Sequence, residues 1–154
     1  MGSLIFLGTG GSLNPEQAQA SLAVPLPGDE TMLTDDSSGT VLLGRLEAAA
    51  IPLESVRHLL INHRYFDHIG GLAPLLTVLA ALPEPFFKVH AASEMLRALR
   101  GFLNLTITGK ENWLGNRLEW LELVPGKPTE VVERESSPFL VNHSLDAWAT
   151  ASLD

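Results

Sequence analysis

The segment from Gly71 to Ala81 constrains this chain more than any other. It has the length of a helix, and Thr77 is its only polar side chain. A surface helix keeps a polar face, so a helix without one must be buried on most sides. The spacing predicts a helix over Gly71–Ala81 with Leu75, Leu76 and Leu79 turned inward. The wider apolar stretch, Ile69 to Leu82, is too short to span a bilayer. Its cover must therefore come from other strands and helices, which implies a layered domain. With 154 residues, 45% of them hydrophobic and 18% charged, the chain has the material for such a core.

Punctuation around that helix suggests the rest. Ser3–Leu7 reads as a buried strand closed by the turn Gly8–Gly11, and Ser12–Gln19 as a loop. Ala20–Pro25 and Thr31–Thr34 read as short strands around Pro27-Gly28-Asp29. Asp35–Gly39 is a polar loop. Thr40–Ala50 has helical spacing and is broken by Pro52. Val56–Ile61 reads as a strand, Asn62–Gly70 as irregular and polar, Phe86–Val89 as a strand, and Ala92–Leu103 as an amphipathic helix. From Trp113 onward, short alternating runs such as Leu118–Leu123 suggest antiparallel strands at hairpin spacing, ending with Ala147–Leu153. No repeat or interdomain linker interrupts residues 1–154, so a single domain is expected.

Charge and composition remove several functions. Ten Lys+Arg against 18 Asp+Glu give a net charge of −8, which excludes a broad basic coat for nucleic acid but leaves room for a small basic patch and for a cation as partner. The absence of cysteine excludes disulfides, thiolate metal sites and a cysteine nucleophile. No basic residue precedes the short apolar run Leu4–Leu7, so no secretory leader is read there. Phe6 stands where a myristoylation signal needs Ser or Thr. Sequons at Asn104 and Asn142 read as chance. A cytoplasmic protein with no membrane partner is expected.

The segment Ile61-Asn62-His63-Arg64-Tyr65-Phe66-Asp67-His68-Ile69-Gly70-Gly71-Leu72 carries the chemistry. Two imidazoles and a carboxylate fall within six residues, between an apolar strand and an apolar helix. Imidazole and carboxylate are ligands that zinc, manganese and iron accept. A loop anchored at both ends by rigid elements can hold them convergent. Other candidates carry less. Gly8-Thr9-Gly10-Gly11 lacks the third glycine of a dinucleotide fingerprint, and Pro15 follows where a helix should begin. His58 reads as a structural histidine and His90 as an exposed loop residue. Lys88, Arg97 and Arg100 read as a solvated basic cluster. Trp113, Trp120 and Trp148 read as packing residues.

These motifs resemble those of the metallo-β-lactamase fold. Its metal signature is usually Thr-His-x-His-x-Asp-His followed by Gly-Gly-Leu, and His63, Asp67 and His68 match it in place. Leu7–Ser12 and Leu33–Thr40 look most similar to ribonuclease Z-like members, and Phe139–Ser144 resembles the later strand that delivers a further histidine, here His143. The resemblance implies an α/β (α+β) αββα sandwich, of which this chain supplies the N-terminal half and part of the second sheet. It implies one or two Zn²⁺ ions, with Mn²⁺ or Fe as substitutes, held by His63, Asp67, His68 and His143. Asp67 would be the catalytic carboxylate, and Asp35 would orient the histidine loop. Tyr65 stands where the family has its second histidine. The family's later aspartate and final histidine have no counterpart before the chain stops.

Two readings follow. In the first, the chain is a metal-dependent hydrolase acting on a small phosphodiester or an RNA 3′ end, in the manner of a phosphodiesterase or ribonuclease Z. In the second, it is a catalytically impaired member acting as a binding or subunit-pairing module. An incomplete sandwich exposes an apolar face and favours a homo-oligomer.

Overall fold

The structure is a computed structural model. It describes residues 4–11, 13–14, 16–37, 39–83, 86–106, 117–131, 134–141 and 147–153. From residue 130 onward the description is of the backbone.

Six strands form the main sheet, in the order β1 (Ile5–Gly8), β2 (Ser21–Leu26), β3 (Glu30–Thr34), β4 (Val56–Leu60), β5 (Phe87–Ala91) and β6 (Leu118–Glu122). The first three strands pair antiparallel. Pro27–Asp29 makes the turn between β2 and β3, with Gly28 and Asp29 both at positive φ. From β3 onward the pairing is parallel. Each parallel step needs a crossover, and α1 (Val41–Ala48), α2 (Phe66–Ile69) with α3 (Leu72–Ala81), and α4 (Ser93–Thr106) supply the three. The strands advance in one direction across the sheet. Because such crossovers are right-handed, all three must cover the same face.

The register separates the two faces. Ala23, Leu33, Leu59 and Val89 form one cross-strand row. All four are buried with Leu42 and Leu46 of α1, Leu72, Leu75, Leu76 and Leu79 of α3, and Leu96 and Leu99 of α4. The expected inward leucines of α3 are thus in the core, each contributing roughly 1.5–3 kcal/mol by burial. Leu22, Thr34, Leu60, His90 and Leu121 form the opposite row, on the face away from the helices.

Two sequence expectations are corrected. Leu118–Glu122 is not part of an antiparallel hairpin. It is the parallel edge strand of the main sheet, because α4 returns the chain to pair Phe87–Ala91 with Leu118–Glu122. Its alternation reflects an edge position. His90 is not in an exposed loop. The strand runs on to Ala91 between two neighbours, and His90 is 1% exposed. The antiparallel expectation does hold for the second sheet, β7 (Thr129–Val131), β8 (Arg134–Val141) and β9 (Ala147–Leu153). No helix among the described residues is long and apolar enough to cross a membrane.

Candidate metal centre

The C-terminal ends of parallel strands are where such sheets offer groups to a ligand. Here β3 ends at Thr34 and runs into Asp35-Asp36-Ser37, while β4 ends at Leu60 and runs into Ile61-Asn62-His63. Asp35 and Ser37 both lie at φ +57°, in the left-handed region. Asp tolerates that region better than most residues, and strain of this kind gathers at functional sites.

Backbone bonds fasten the two loops to the sheet. Asp35 N–H donates to the Leu60 carbonyl at 2.8 Å, and Ile61 N–H donates to the His90 carbonyl at 2.9 Å. The Asp35 carboxylate then grips the histidine loop. Its Oδ1 accepts the Asn62 backbone N–H and its Oδ2 the Asn62 side-chain amide, both at 2.9 Å. His68 Nδ1 lies 2.8 Å from Asp35 Oδ2, a close contact set off the line of an ideal N–H···O bond.

Asn62–Gly70 is not wholly irregular, since Phe66–Ile69 forms the short helix α2. Its turn puts Asp67 and His68 side by side, with Asp67 Oδ2 3.5 Å from His68 Nε2. The His63 ring meets the His68 ring edge-on, with centroids 3.7 Å apart. The Tyr65 ring is tilted 59° against His63 at 4.9 Å. His63 and Asp67 are buried, His68 and Tyr65 half-buried, and Arg64 and Phe66 stand exposed at the rim. The structure therefore brings His63, Asp67 and His68 together with Asp35 and Tyr65. His143 lies outside the described residues, as do Asn142, Ser144 and Trp113.

The sequence does not show the roles of two participants, Asn62 and Asp36, although Asp36, like Asp35, has the look of a metal ligand in isolation. Asn62 clamps Asp35, and no pattern distinguishes it from any polar residue before a histidine. Asp36 is fully buried, and its Oδ1 accepts the Gly71 N–H at 3.1 Å. Burial pushes the Asp36 carboxyl well above the usual carboxylate range; the Gly71 N–H works against that shift, and the Asp35 charge adds to it. A side chain on Gly71 would collide with the Asp36 carbonyl, so glycine is required there.

The donor chemistry suits a divalent cation in part. Two donors bound at roughly 2.0–2.2 Å to one tetrahedral ion stand about 3.3–3.6 Å apart, and Asp67 Oδ2 and His68 Nε2 are 3.5 Å apart. With His68 Nδ1 turned to Asp35, Nε2 is the nitrogen left to bind. Yet among the described residues no group of three or more such side chains is arranged to hold a metal ion.

Solved structures share this architecture. The metallo-β-lactamase-fold protein YhfI from Bacillus subtilis aligns over 100% of this chain and 59% of its own, with a TM-score of 0.77 and 17% identity. The short form of human tRNase Z aligns over 100% of this chain and 65% of its own, with a TM-score of 0.77 and 16% identity. A diphosphatase of the PhnP family aligns over 99% and 62%, with a TM-score of 0.76 and 17% identity. The fold is that of the metallo-β-lactamases, and the chain spans about three-fifths of the length of these relatives. The family model described as "Anti-Pycsar protein Apyc1" matches residues 2–137, and the chain belongs to that family. No curated protein sequence matches it significantly.

Proposed function

We propose that the chain is a metal-dependent hydrolase of phosphodiester bonds, built on the Asp67/His68 pair. The observation that carries this reading is the 3.5 Å separation of Asp67 Oδ2 and His68 Nε2, with the other imidazole nitrogen turned to Asp35. A divalent cation bound there supplies Lewis acidity to water and neutralises charge on phosphoryl oxygens. Zn²⁺ suits one imidazole and one carboxylate, and Mn²⁺ or iron accepts the same set. Asp67 and His68 would hold the ion directly, with His63 beside them and His143 as a further donor. Asp35, in contact with His68 Nδ1, would orient that ring, and Asp67 would take up a proton from the attacking water. The tRNase and diphosphatase among the fold relatives act on phosphate esters or anhydrides, which supports a small phosphodiester or an RNA 3′ end as substrate.

The test is metal analysis of purified protein, paired with hydrolysis of bis-p-nitrophenyl phosphate before and after chelation. At least half an equivalent of metal and chelator-sensitive hydrolysis are expected. Under a tenth of an equivalent after Zn²⁺ or Mn²⁺ addition, with no hydrolysis, would sink the proposal. That outcome would favour the second reading, a binding or subunit-pairing homo-oligomer, which the absence of a three-donor group among the described residues supports.

A further inference from the structure

We propose that Asp36 is a positioning residue that sets where Asp67 and His68 stand, by gripping the exit of the short helix that carries them. Helix α2 has four residues, and its N-cap Tyr65 makes no side-chain capping bond. A helix so short cannot fix its own orientation. Contacts from outside must do so, and Asp36 provides three. Its N–H donates to the His68 carbonyl at 3.0 Å. Its Oδ1 accepts the Gly71 N–H at 3.1 Å. Its carbonyl lies against the Gly71 backbone, where a Cβ would not fit.

Two consecutive carboxylates thus divide the loop between them. Asp35 holds the entry through Asn62 and lies against the ring of His68, whereas Asp36 holds the exit at His68 and Gly71. A fully buried aspartate such as Asp36, with no basic partner among the described residues, is costly, and such a residue persists where its hydrogen bonds hold something in place. The left-handed residues on either side, Asp35 and Ser37, shape the loop around it.

The consequence for cation affinity rests on the hydrolase reading; the effect on the His68 ring does not. The experiment uses the full chain labelled with ¹⁵N-histidine. Its five histidines make the ring spectrum tractable, and His68→Gln identifies the His68 signals. In Asp36→Ala without metal, the His68 ring nitrogens should move toward tautomer-averaged shifts. A Co²⁺ titration followed by visible absorption should show affinity reduced roughly 10–100-fold, as for other residues that orient a metal ligand. Asp36→Asn keeps an oxygen facing the Gly71 N–H and should retain both wild-type behaviours. Asp36→Val fills the same space without the acceptor and replaces Asp36→Ala if that variant does not fold. Wild-type His68 shifts in the Ala or Val variant would overturn the proposal, as would equal disturbance in Asp36→Asn. If wild-type protein binds no Co²⁺ while Asp36→Ala still disturbs His68, the hydrolase reading fails and the positioning role stands.

Discussion

Two pairs of histidines lie within one sheet's width of each other, and they are built for opposite purposes. His63 and His68 meet edge-on in the loops past the strand ends, with Asp35 and Asp67 around them. His58 and His90 meet nitrogen to nitrogen on the sheet, their rings nearly coplanar, with centroids 5.3 Å apart and planes 23° apart. There, His58 Nδ1 and His90 Nε2 are 3.0 Å apart, and His58 Nε2 is 3.2 Å from Glu30 Oε2. The first pair has carboxylates around it, the surroundings a bound cation would need. In the second pair burial outweighs the one carboxylate. It holds His58 below the ordinary histidine value despite Glu30, and with His58 and Lys88 it pushes His90 down to about 3. Imidazole alone does not make a site; the balance of desolvation and neighbouring charge decides its role.

The largest effect expected from this contrast is on acid stability. Unfolded histidines take up a proton near 6.5, whereas folded His90 resists until about 3. Between those values the unfolded state binds more protons, so stability is complete above about 6.5 and is lost as pH falls toward 3. At about 1.4 kcal/mol per pH unit, the window is worth several kcal/mol. Urea unfolding at a series of pH values should show the slope, and His90→Phe should flatten most of it. An unchanged slope in that variant would place the acid sensitivity elsewhere.

Hydrolysis should separate the pairs next. His68→Ala is expected to lose more than the roughly 100-fold that marks the upper range for residues merely orienting a ligand. His90→Phe should retain activity within a few-fold at pH 7.5, where its protein is folded. Comparable losses in both would erase the functional distinction between the pairs.

Tyr65 offers a smaller, constructive test. Its ring already leans on His63, and an imidazole in its place brings a lone pair that a phenol lacks until it loses a proton. Tyr65→His adds a direct ligand, so it should raise Zn²⁺ affinity by at least roughly ten-fold, since even residues that only orient a ligand are worth roughly 10–100-fold. Competition with a chromophoric chelator would read it. No gain would mean that the Tyr65 position points away from the cation.

How legible the pairs were in sequence follows from the same physics. His63, Asp67 and His68 are at most five residues apart and stand out as a motif, as does the apolar helix behind them. The strand order β3–β6 was less so, because Leu118–Glu122 alternates like a hairpin strand yet pairs in parallel with a strand on the far side of α4. His58 and His90 are 32 residues apart and meet only through the β4–β5 register, so His90 passed for a loop residue. Asp36 was hidden because its partner Gly71 is 35 residues away and bonds through its backbone. Local spacing exposes ligands that share a loop, but it cannot expose contacts that only a sheet register creates.

The smallest prediction sharpens the comparison by sign. Glu30 favours protonated His58, while Lys88 disfavours protonation of both buried histidines. Glu30→Gln removes an attraction to charged His58. The folded-state pKa of His58 should fall further, widening its gap from the unfolded value and steepening the acid loss of stability. Lys88→Met removes a repulsion from both rings, so both values should rise and the loss should become shallower. Both charged groups are partly solvated, so each change should be worth only a few tenths of a kcal/mol up to about 1 kcal/mol. The two variants should therefore straddle the wild-type acid midpoint at low salt and draw together as salt screens them. Shifts in the same direction would show that side-chain packing, rather than charge, governs the buried pair.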